Sequence, residues 1–268
     1  MECTIIDKQG NEKGKMKLPE QFDEPLRPDL IAQAAITIDS HERTPYGASP
    51  TAGKRASAII SKRRHNYRGS YGIGISRTPR KIMSRRGTRM NWTGAFAPGT
   101  VGGRRAHPPK SEKRWWKDMN KKEKQKALRS AIASTMDLDT ITKRGHTVPK
   151  QFPFIVDDTV EKIKKTKEII TTLEQAGLGT ELQRSKKKTI RAGKGKRRGR
   201  KYAKKKGVLF VVAKNCGLIK AGKNIPGTDI TIVNRLNTKL LAPGGNPGRL
   251  TIWSKSAIER MAKEKLFS

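Results

Sequence analysis

Five short apolar runs along the chain are typical of buried β-strands. The strongest run is VLFVV at residues 208–212, and its unbroken apolarity predicts a central parallel strand that is buried on both faces. Shorter runs at residues 3–6, 154–156, 230–233 and 250–253 predict further strands. The chain therefore holds enough short strands for one central sheet.

Between these runs, apolar residues recur with the three- and four-residue spacing of amphipathic helices. The spacing predicts helices over residues 28–38 and 159–176, and a helix that starts at Asn120. A last helix follows the final strand, and the side-chain hydroxyl of either Ser254 or Ser256 can cap it. Because strands and helices alternate, we expect an α/β fold with a mainly parallel central sheet flanked by helices.

Residues 43–111, which we call the first basic segment, interrupt this pattern. The segment contains ten glycines and six prolines, and it has no sustained helical or alternating pattern. A loop of this length within a compact domain is usually functional or disordered. We expect a long extended internal loop with too few aliphatic residues to fold alone, inserted into a globular body of residues 1–42 and 112–268.

The charge of the chain is concentrated in two places. The formal net charge is +37, from 60 Lys and Arg against 23 Asp and Glu. The first basic segment holds 16 basic residues, residues 185–207 (the second basic segment) hold 13, and neither segment contains an acidic residue. The remaining residues have the charge balance of an ordinary soluble domain. Such a distribution predicts a polyanionic partner.

Aromatic rings and arginines are interleaved in the first basic segment, which favours RNA over a merely solvated loop. Rings and guanidinium planes stack on unpaired bases, and arginine pairs bidentately with phosphate oxygens. We also expect glycines to let the backbone approach nucleic acid, namely Gly69, Gly72, Gly74, Gly87, Gly94, Gly99, Gly102 and Gly103. The alternative is a flexible insert with incidental charge. The predicted RNA-binding residues are Arg43, Lys54, Arg55, Arg63, Arg64, Tyr67, Arg68, Tyr71, Arg89, Trp92, Arg104, Arg105 and His107.

The second basic segment gives a less specific signal. Lysine-rich runs mainly supply nonspecific attraction to phosphates, so the segment can be an RNA-backbone contact, a targeting-like cluster or a solvated linker. Phosphate contact is the preferred interpretation. The predicted contact residues are Lys186, Lys187, Lys188, Arg197, Arg198 and Arg200.

One stretch resembles a nucleotide-binding loop. The sequence GLIKAGKN at residues 217–224 follows the strongest strand, but Asn224 stands where a phosphate-binding loop has the Ser or Thr that holds magnesium. No acidic residue at a downstream strand end offers a second metal ligand. We therefore expect no nucleotide cofactor, and a nucleotide-dependent RNA-modifying enzyme remains the enzymatic alternative.

The other chemically active residues form no recognisable catalytic or metal-binding set. Asp157 and Asp158 are adjacent and are interpreted as a strand end and a helix cap. The chain is therefore predicted to be neither an enzyme nor a metalloprotein. The residues considered and set aside are His41, His65, His107, His146, Cys3 and Cys216.

No segment has the pattern of a signal peptide or a membrane span. The longest strongly apolar run, residues 208–213, is far shorter than the ~20 residues that a bilayer requires. Two cysteines without a metal-ligand spacing fit a reduced compartment. We expect a soluble, intracellular protein with no membrane partner.

Four motifs resemble the archaeal and eukaryotic form of universal large-subunit ribosomal protein number four, and the resemblance spans nearly the whole chain. Two of them are GTRMNWTGAFAPGTVGGRRAHPPK at residues 87–110 and NKKEKQKALRSAIASTMD at residues 120–137. The other two are NIPG at residues 224–227 and LAPGGNPGRL, followed by TIW, at residues 241–253. Motifs of this length are highly specific.

The resemblance implies a cytoplasmic ribosomal protein whose partners are large-subunit ribosomal RNA and neighbouring ribosomal proteins, without homo-oligomers. It implies an α/β body on the subunit exterior and a loop that penetrates the RNA, supports assembly and helps line the nascent-peptide exit tunnel. The loop tip falls in residues 74–89, and the residues placed nearest the tunnel are Arg77, Arg80, Lys81, Arg85 and Arg86. A freestanding RNA chaperone or chromatin-like protein is the main alternative.

Overall fold

The computed structural model of the protein describes residues 2–267. The strands are β1 Glu2–Ile6, β2 Glu12–Lys17, β3 Arg80–Arg86, β4 Arg89–Gly94, β5 Phe154–Val156, β6 Lys188–Ile190, β7 Tyr202–Lys204, β8 Leu209–Val212, β9 Asp229–Ile232 and β10 Thr251–Ser254. The helices are α1 Pro28–His41, α2 Lys121–Ala133, α3 Leu138–Lys143, α4 Thr166–Gln175, α5 Gly179–Lys186, α6 Gly217–Gly222, α7 Thr238–Leu241 and α8 Lys255–Lys263.

The chain divides into two compact units. One unit, which we call the body, comprises Met1–Glu42 and Trp116–Ser268. The other, which we call the basic unit, is Arg43–Trp115 and contains the whole first basic segment. The second basic segment belongs to the body.

A six-stranded sheet in the order β2-β1-β5-β10-β8-β9 forms the centre of the body. Strands β1, β5, β10, β8 and β9 run parallel to one another. Strand β2 is an edge strand that pairs with β1 in antiparallel fashion. The predicted α/β fold with a mainly parallel sheet is confirmed. All five predicted strands are present, and β2 was not predicted.

Helices cover both faces of this sheet. Along β8, Leu209 and Val211 belong to one hydrophobic cluster, while Phe210 and Val212 belong to another, because successive side chains on a strand point to opposite faces. The first cluster adds residues of α1, α2 and α8, namely Ile31, Leu128, Ile132, Ile258 and Met261. The second adds residues of α3, α4 and α6, namely Ile141, Ile169, Leu173, Leu218 and Ala221. The unbroken apolarity of residues 208–212 follows from this double coverage.

The single helix predicted over residues 159–176 is wrong. Residues Asp158–Lys162 form a 3₁₀ turn, Ile163 is extended, and α4 begins only at Thr166. The helical spacing of Val160 and Ile163 reflects burial in the same cluster rather than one continuous helix. Two carboxylates of the turn accept hydrogen bonds from other parts of the chain. Asp158 accepts one from the Ser256 amide at 2.8 Å, and Glu161 accepts one from the Ala213 amide at 3.0 Å.

The start of α8 combines two caps. Ser254, one of the two predicted candidates, is the N-cap residue, and its hydroxyl accepts a hydrogen bond from the Ala257 amide at 3.2 Å. The Asp158 carboxylate accepts a hydrogen bond from a second amide of the first turn, that of Ser256. The interpretation of Asp158 as a cap of the helix over residues 159–176 is therefore wrong, because no α-helix begins there and its carboxylate binds an amide in the first turn of α8.

The basic unit contains a β-hairpin, so the absence of an alternating pattern in residues 43–111 did not indicate an absence of strands. Strands β3 and β4 pair in antiparallel fashion, with Arg86 opposite Arg89 and a register shift between Ile82 and Ser84. In β4 the alternation is limited to Met90 and Trp92, which are half-buried between exposed neighbours. In β3 most positions are exposed, so no sustained alternating signal marks the hairpin in the sequence.

Candidate nucleic-acid interface

The β3–β4 hairpin places arginines at its turn without any acidic partner. Arg86 and Arg89 are opposite each other across the two-residue turn of Gly87 and Thr88, and both are exposed. Gly87 has a φ of +56°, the left-handed conformation that tight hairpin turns require. Like charges directly opposite each other across a strand pair are destabilising. An anion bound at the turn would relieve this repulsion.

Three aromatic rings of the basic unit hold guanidinium groups over their faces. The Arg80 guanidinium lies 5.6 Å from the centre of the Trp92 ring, on the neighbouring strand. Arg77 lies 5.6 Å from the centre of the Tyr71 ring, and Arg68 lies 5.5 Å from the centre of the Tyr67 ring. Distances below about 6 Å are those of cation–π contacts. The interleaving seen in the sequence is thus a set of ring–guanidinium pairs.

An open cavity of about 790 Å³ lies between residues 63–73 and residues 87–92 of the basic unit. Its lining includes Arg63, Arg64, Tyr67, Tyr71 and Trp92. Tyr67 as a whole is 56% exposed, so its side chain is within reach of a flat ligand. A cavity lined by arginines and rings can take an unpaired base together with its phosphate.

The hydroxyl of Tyr67 is held by an arginine from the hairpin. Arg85 Nη1 donates a hydrogen bond to Tyr67 Oη at 3.0 Å, which connects β3 to residues 63–73. This hydrogen bond, together with the neighbouring Arg68, lowers the pKa of Tyr67 from its ordinary value. Arg85 therefore positions the tyrosine ring at the cavity.

A second aromatic cluster joins the two ends of the basic unit. The rings of Tyr46 and Trp115 are stacked with their centres 4.6 Å apart. The Arg43 guanidinium lies 4.5 Å from the centre of the Trp115 ring, and Lys113 Nζ lies 5.4 Å from it. Trp115 lies beyond the first basic segment and was not among the predicted site residues. The Trp-Trp pair at residues 115–116 was the available signal for it.

Two glycines in the basic unit are required because two segments of the chain pass close to each other there. A Cβ atom at Gly53 would lie 2.4 Å from Arg104 Cα, and Gly53 has a φ of +71°. A Cβ atom at Gly47 would lie 2.6 Å from the backbone nitrogen of Ser111. Nearby, the Ala48 amide donates a hydrogen bond to the Pro109 carbonyl at 2.9 Å. The incoming and outgoing chains therefore run side by side in this part of the unit.

The eight glycines predicted to make room for nucleic acid fall into two groups. A Cβ atom would meet protein atoms at Gly69, Gly94 and Gly103, with the Ala97 carbonyl oxygen only 2.1 Å from the added atom at Gly103. For these three glycines the prediction is corrected, because the close neighbour is the protein itself. The other five face open space, namely Gly72, Gly74, Gly87, Gly99 and Gly102.

The predicted site residues lie almost entirely on the surface. Those of the first basic segment and the predicted tip that are exposed are Arg43, Lys54, Arg55, Arg63, Arg64, Tyr67, Tyr71, Arg77, Lys81, Arg85, Arg86, Arg89, Arg105 and His107. Arg68, Arg80, Trp92 and Arg104 are partly buried. In the second basic segment, strands β6 and β7 form a short hairpin joined through a 3₁₀ turn at Lys194–Arg198. Its predicted contacts, Lys186, Lys187, Lys188, Arg197, Arg198 and Arg200, are all exposed.

The stretch that resembles a nucleotide-binding loop folds as a helix. Residues Gly217–Gly222 form α6, whose Leu218 and Ala221 are buried in the second hydrophobic cluster. A Cβ atom at Gly222 would lie 2.1 Å from the Ile230 side chain. Its glycines thus begin a helix and allow the helix to pack on the sheet, and no Gly-rich loop is left to surround a phosphate.

Neither a metal-binding group of side chains nor a membrane-spanning helix is found in the part of the chain that the structure describes. Over residues 2–267, no three His, Cys, Asp or Glu side chains are grouped so as to hold a metal ion. No helix within the same range has both the length and the apolar character to cross a membrane.

The fold and surface thus define a basic α/β protein with ring-and-arginine surfaces of the kind that nucleic-acid-binding proteins carry. The ribosomal protein L4/L1 family matches residues 16–264. Relatives called "Large ribosomal subunit protein uL4" occur in Nanoarchaeum equitans, 49% identical over all of both chains, and in Methanococcoides burtonii, 46% identical over 97% of each. The relative of that name in Archaeoglobus fulgidus is 41% identical over 98% of this chain and 99% of its own length.

The chain belongs to the ribosomal protein L4/L1 family. The resemblance drawn from the four motifs is therefore confirmed. Since this is a family of structural ribosomal proteins, membership also agrees with the prediction that the chain is not an enzyme.

Proposed function

We propose that the protein is a structural component of the large ribosomal subunit that binds ribosomal RNA chiefly through its basic unit. The names of its relatives support the location in the large subunit, and neighbouring ribosomal proteins of that subunit would be its other partners. The observation that carries the RNA-binding proposal is the uncompensated charge of residues 43–111. They contain 16 basic residues and no carboxylate, and most of the cationic side chains are exposed.

The packing of the basic unit supports a role that depends on RNA. Within residues 43–115, Ala95 is the one buried hydrophobic residue, and Ser70 is the one buried polar residue. A segment that buries so little apolar surface cannot offset the conformational entropy of ordering it. Phosphates that neutralise its arginines would supply the missing free energy. The unit would thereby fix several RNA segments relative to one another during subunit assembly.

We place the exit-tunnel contact at the β3–β4 hairpin. Four of the five residues expected nearest the tunnel, Arg80, Lys81, Arg85 and Arg86, lie on β3, and Arg77 precedes this strand. The hairpin turn at Gly87 and Thr88 lies within the predicted tip region, residues 74–89, which ends at the first residue of β4. Crosslinks from Arg86 to large-subunit RNA at the tunnel wall would support this placement, and crosslinks confined to the subunit exterior would contradict it.

Sedimentation tests the ribosomal role against that of a freestanding RNA chaperone. The protein should co-migrate with large subunits after a high-salt wash, because a buried and threaded basic unit exchanges slowly. A matched variant in which Arg63, Arg64, Arg85 and Arg86 are changed to Gln should enter fewer subunits. If the unmodified protein washes off freely, the ribosomal role is wrong.

The enzymatic alternative has a separate test. Binding of ATP or GTP that disappears in Lys223→Ala would favour a nucleotide-dependent activity. We expect no such binding, because residues 217–222 are occupied in packing α6 on the sheet.

A further inference from the structure

A basic cleft in the body includes the end of the second basic segment but none of the contact residues predicted above. The cleft has a volume of about 670 Å³ and is open to solvent. Its lining includes Lys143, Arg144, Arg184, Lys205 and Lys206 and contains no acidic residue. Lys143 and Arg144 come from the end of α3, and Arg184 comes from α5. Lys205 and Lys206 come from the end of the second basic segment, so three parts of the fold bring together cations that are far apart in the sequence.

Arg144 forms the inner wall of this cleft without a carboxylate partner. Its Nη2 atom donates a hydrogen bond to the Pro243 carbonyl at 2.7 Å, and its Nη1 atom donates to the carbonyls of Asn246 and Pro247. Within residues 2–267 it makes no ion pair. Burial, followed by repulsion from Arg249 and Arg184, lowers the pKa of Arg144 from its ordinary value. An anion in the cleft would offset this repulsion.

The neighbouring Arg184 is held rigidly by a buried carboxylate. Arg184 donates two hydrogen bonds to Glu181, from Nε at 2.6 Å and from Nη2 at 2.5 Å. Glu181 is fully buried and also accepts a hydrogen bond from the Thr147 amide at 3.1 Å. Arg184 further donates to the carbonyl of Lys206 at 2.8 Å, which fixes the end of the second basic segment at the cleft. The site is therefore preorganised, which lowers the entropic cost of binding.

The two lysines at the mouth of the cleft are available for a ligand. Lys143 and Lys205 are exposed, and neither forms an ion pair with any residue that the structure describes. Lys206, by contrast, is paired with Asp229 at 2.9 Å. Two ammonium groups without ion pairs, together with a guanidinium that binds carbonyls but no carboxylate, match the charge and the acceptor oxygens of a phosphate group.

We propose that this cleft binds a phosphodiester group of an RNA strand, with Lys143, Arg144 and Lys205 as its cationic ligands. The inference rests on the proposed RNA-binding function, and it adds a contact on the body to those of the basic unit. RNA is favoured over a small anion because the open cleft continues into the exposed lysines and arginines of the second basic segment, along which a strand can run.

The test compares full-length variants for binding to a large-subunit ribosomal RNA transcript over a range of salt concentrations. Lys143→Gln lies outside both basic segments, so its effect belongs to the cleft. A double variant adds Lys205→Gln. The matched control, Lys15→Gln with Lys167→Gln, removes two exposed lysines of the body that do not line the cleft. Thermal melting verifies that each variant is folded.

Each lost phosphate contact should reduce the slope of log affinity against log salt by about 0.7 to 0.9, and the double variant should bind roughly tenfold more weakly at moderate salt. The control should match the unmodified protein. Equal behaviour of the double variant and the control would overturn the cleft site while leaving the RNA-binding proposal intact. If the unmodified protein fails to bind the transcript, the RNA-binding proposal fails as well.

A measurement without substitutions provides an independent check. Acetylation of exposed lysines is compared in the free protein and in its complex with the same RNA transcript. Lys143 and Lys205 should be protected in the complex, whereas Lys15 and Lys167 should react as in the free protein. Unchanged reactivity of Lys143 in a complex that protects lysines of the basic unit would rule the cleft out.

Discussion

The backbone amide of Lys117 donates a hydrogen bond to the hydroxyl of Ser40 at 2.9 Å. Close by, His41 Nε2 lies 3.9 Å from Asp118 Oδ1. The end of α1 and the start of the chain that leads to α2 are therefore adjacent within the body. A short connection can replace everything between them.

Removal of the basic unit should leave a folded body. Both hydrophobic clusters of the body consist of residues outside 43–115, so a Gly/Ser linker in place of these residues removes no core contact. We expect a cooperative thermal transition within a few degrees of that of the full chain, measured by circular dichroism, and loss of most RNA affinity. A variant that melts without cooperativity would contradict the division into two units.

Two segments of the chain run side by side at Gly53, so this position should not tolerate a side chain. Gly53→Ala adds a Cβ atom 2.4 Å from the backbone of Arg104 at a positive φ, so the chains must separate. Gly72→Ala is the matched control, because Gly72 has a φ of +79° but open space around it. In the complex with RNA, which orders the basic unit, we expect faster hydrogen exchange at the Ala48 amide in Gly53→Ala only. Equal exchange in the two variants would mean that backbone conformation alone sets the effect.

The sequence predicts an element well where burial makes a run of its residues apolar, and poorly where burial leaves no such pattern. Residues 208–212 are apolar throughout because both faces of β8 are covered, so this strand was evident. Strand β2 pairs only with β1 and has one half-buried apolar side chain, Met16, so no pattern marked it. The sequence did not reveal that α4 begins only at Thr166, because the residues before it and those of the helix pack into the same hydrophobic cluster.

The candidate sites divide in the same way. A charge run is visible in the sequence, so the exposed cations of both basic segments could be named. The body cleft could not be predicted, since only the fold brings Lys143, at the end of α3, together with Lys205, beside the Lys206 carbonyl that Arg184 of α5 binds. Pairing partners such as Arg85 with Tyr67 likewise depend on the hairpin register.

The ring of Tyr67 should contribute to RNA affinity mainly by stacking. Tyr67→Ala removes the ring and should weaken RNA binding by ~1–3 kcal/mol if one base stacks on it. Tyr67→Phe keeps the ring and loses only the hydrogen bond from Arg85, so its affinity should stay close to that of the unmodified protein. Filter binding at fixed salt measures both. An equal loss in Tyr67→Phe and Tyr67→Ala would assign the effect to the hydroxyl instead.

The buried carboxylate of Glu181 should make the stability of the body depend on pH in the acid range. Burial opposes its charge, but the hydrogen bonds from Arg184, His146 and Thr147 outweigh burial and lower its pKa from 4.5 to about 2. A carboxyl whose pKa is lower in the folded state stabilises the fold fully above pH 4.5 and loses this contribution as the pH falls towards 2. The shift corresponds to about 3 kcal/mol.

Glu181→Gln should remove this contribution and leave Arg184 and His146 without their charged partner. We expect the free energy of unfolding at pH 7 to fall by about 3 kcal/mol, and the curves of the variant and the unmodified protein to converge as the pH approaches 2. Urea unfolding at several pH values measures the difference. Glu259→Gln, which removes an exposed carboxyl 3.9 Å from Lys255, is the control and should have little effect at any pH. A constant gap between the Glu181→Gln and unmodified curves from pH 7 to pH 2 would mean that packing, and not charge, is the contribution of Glu181.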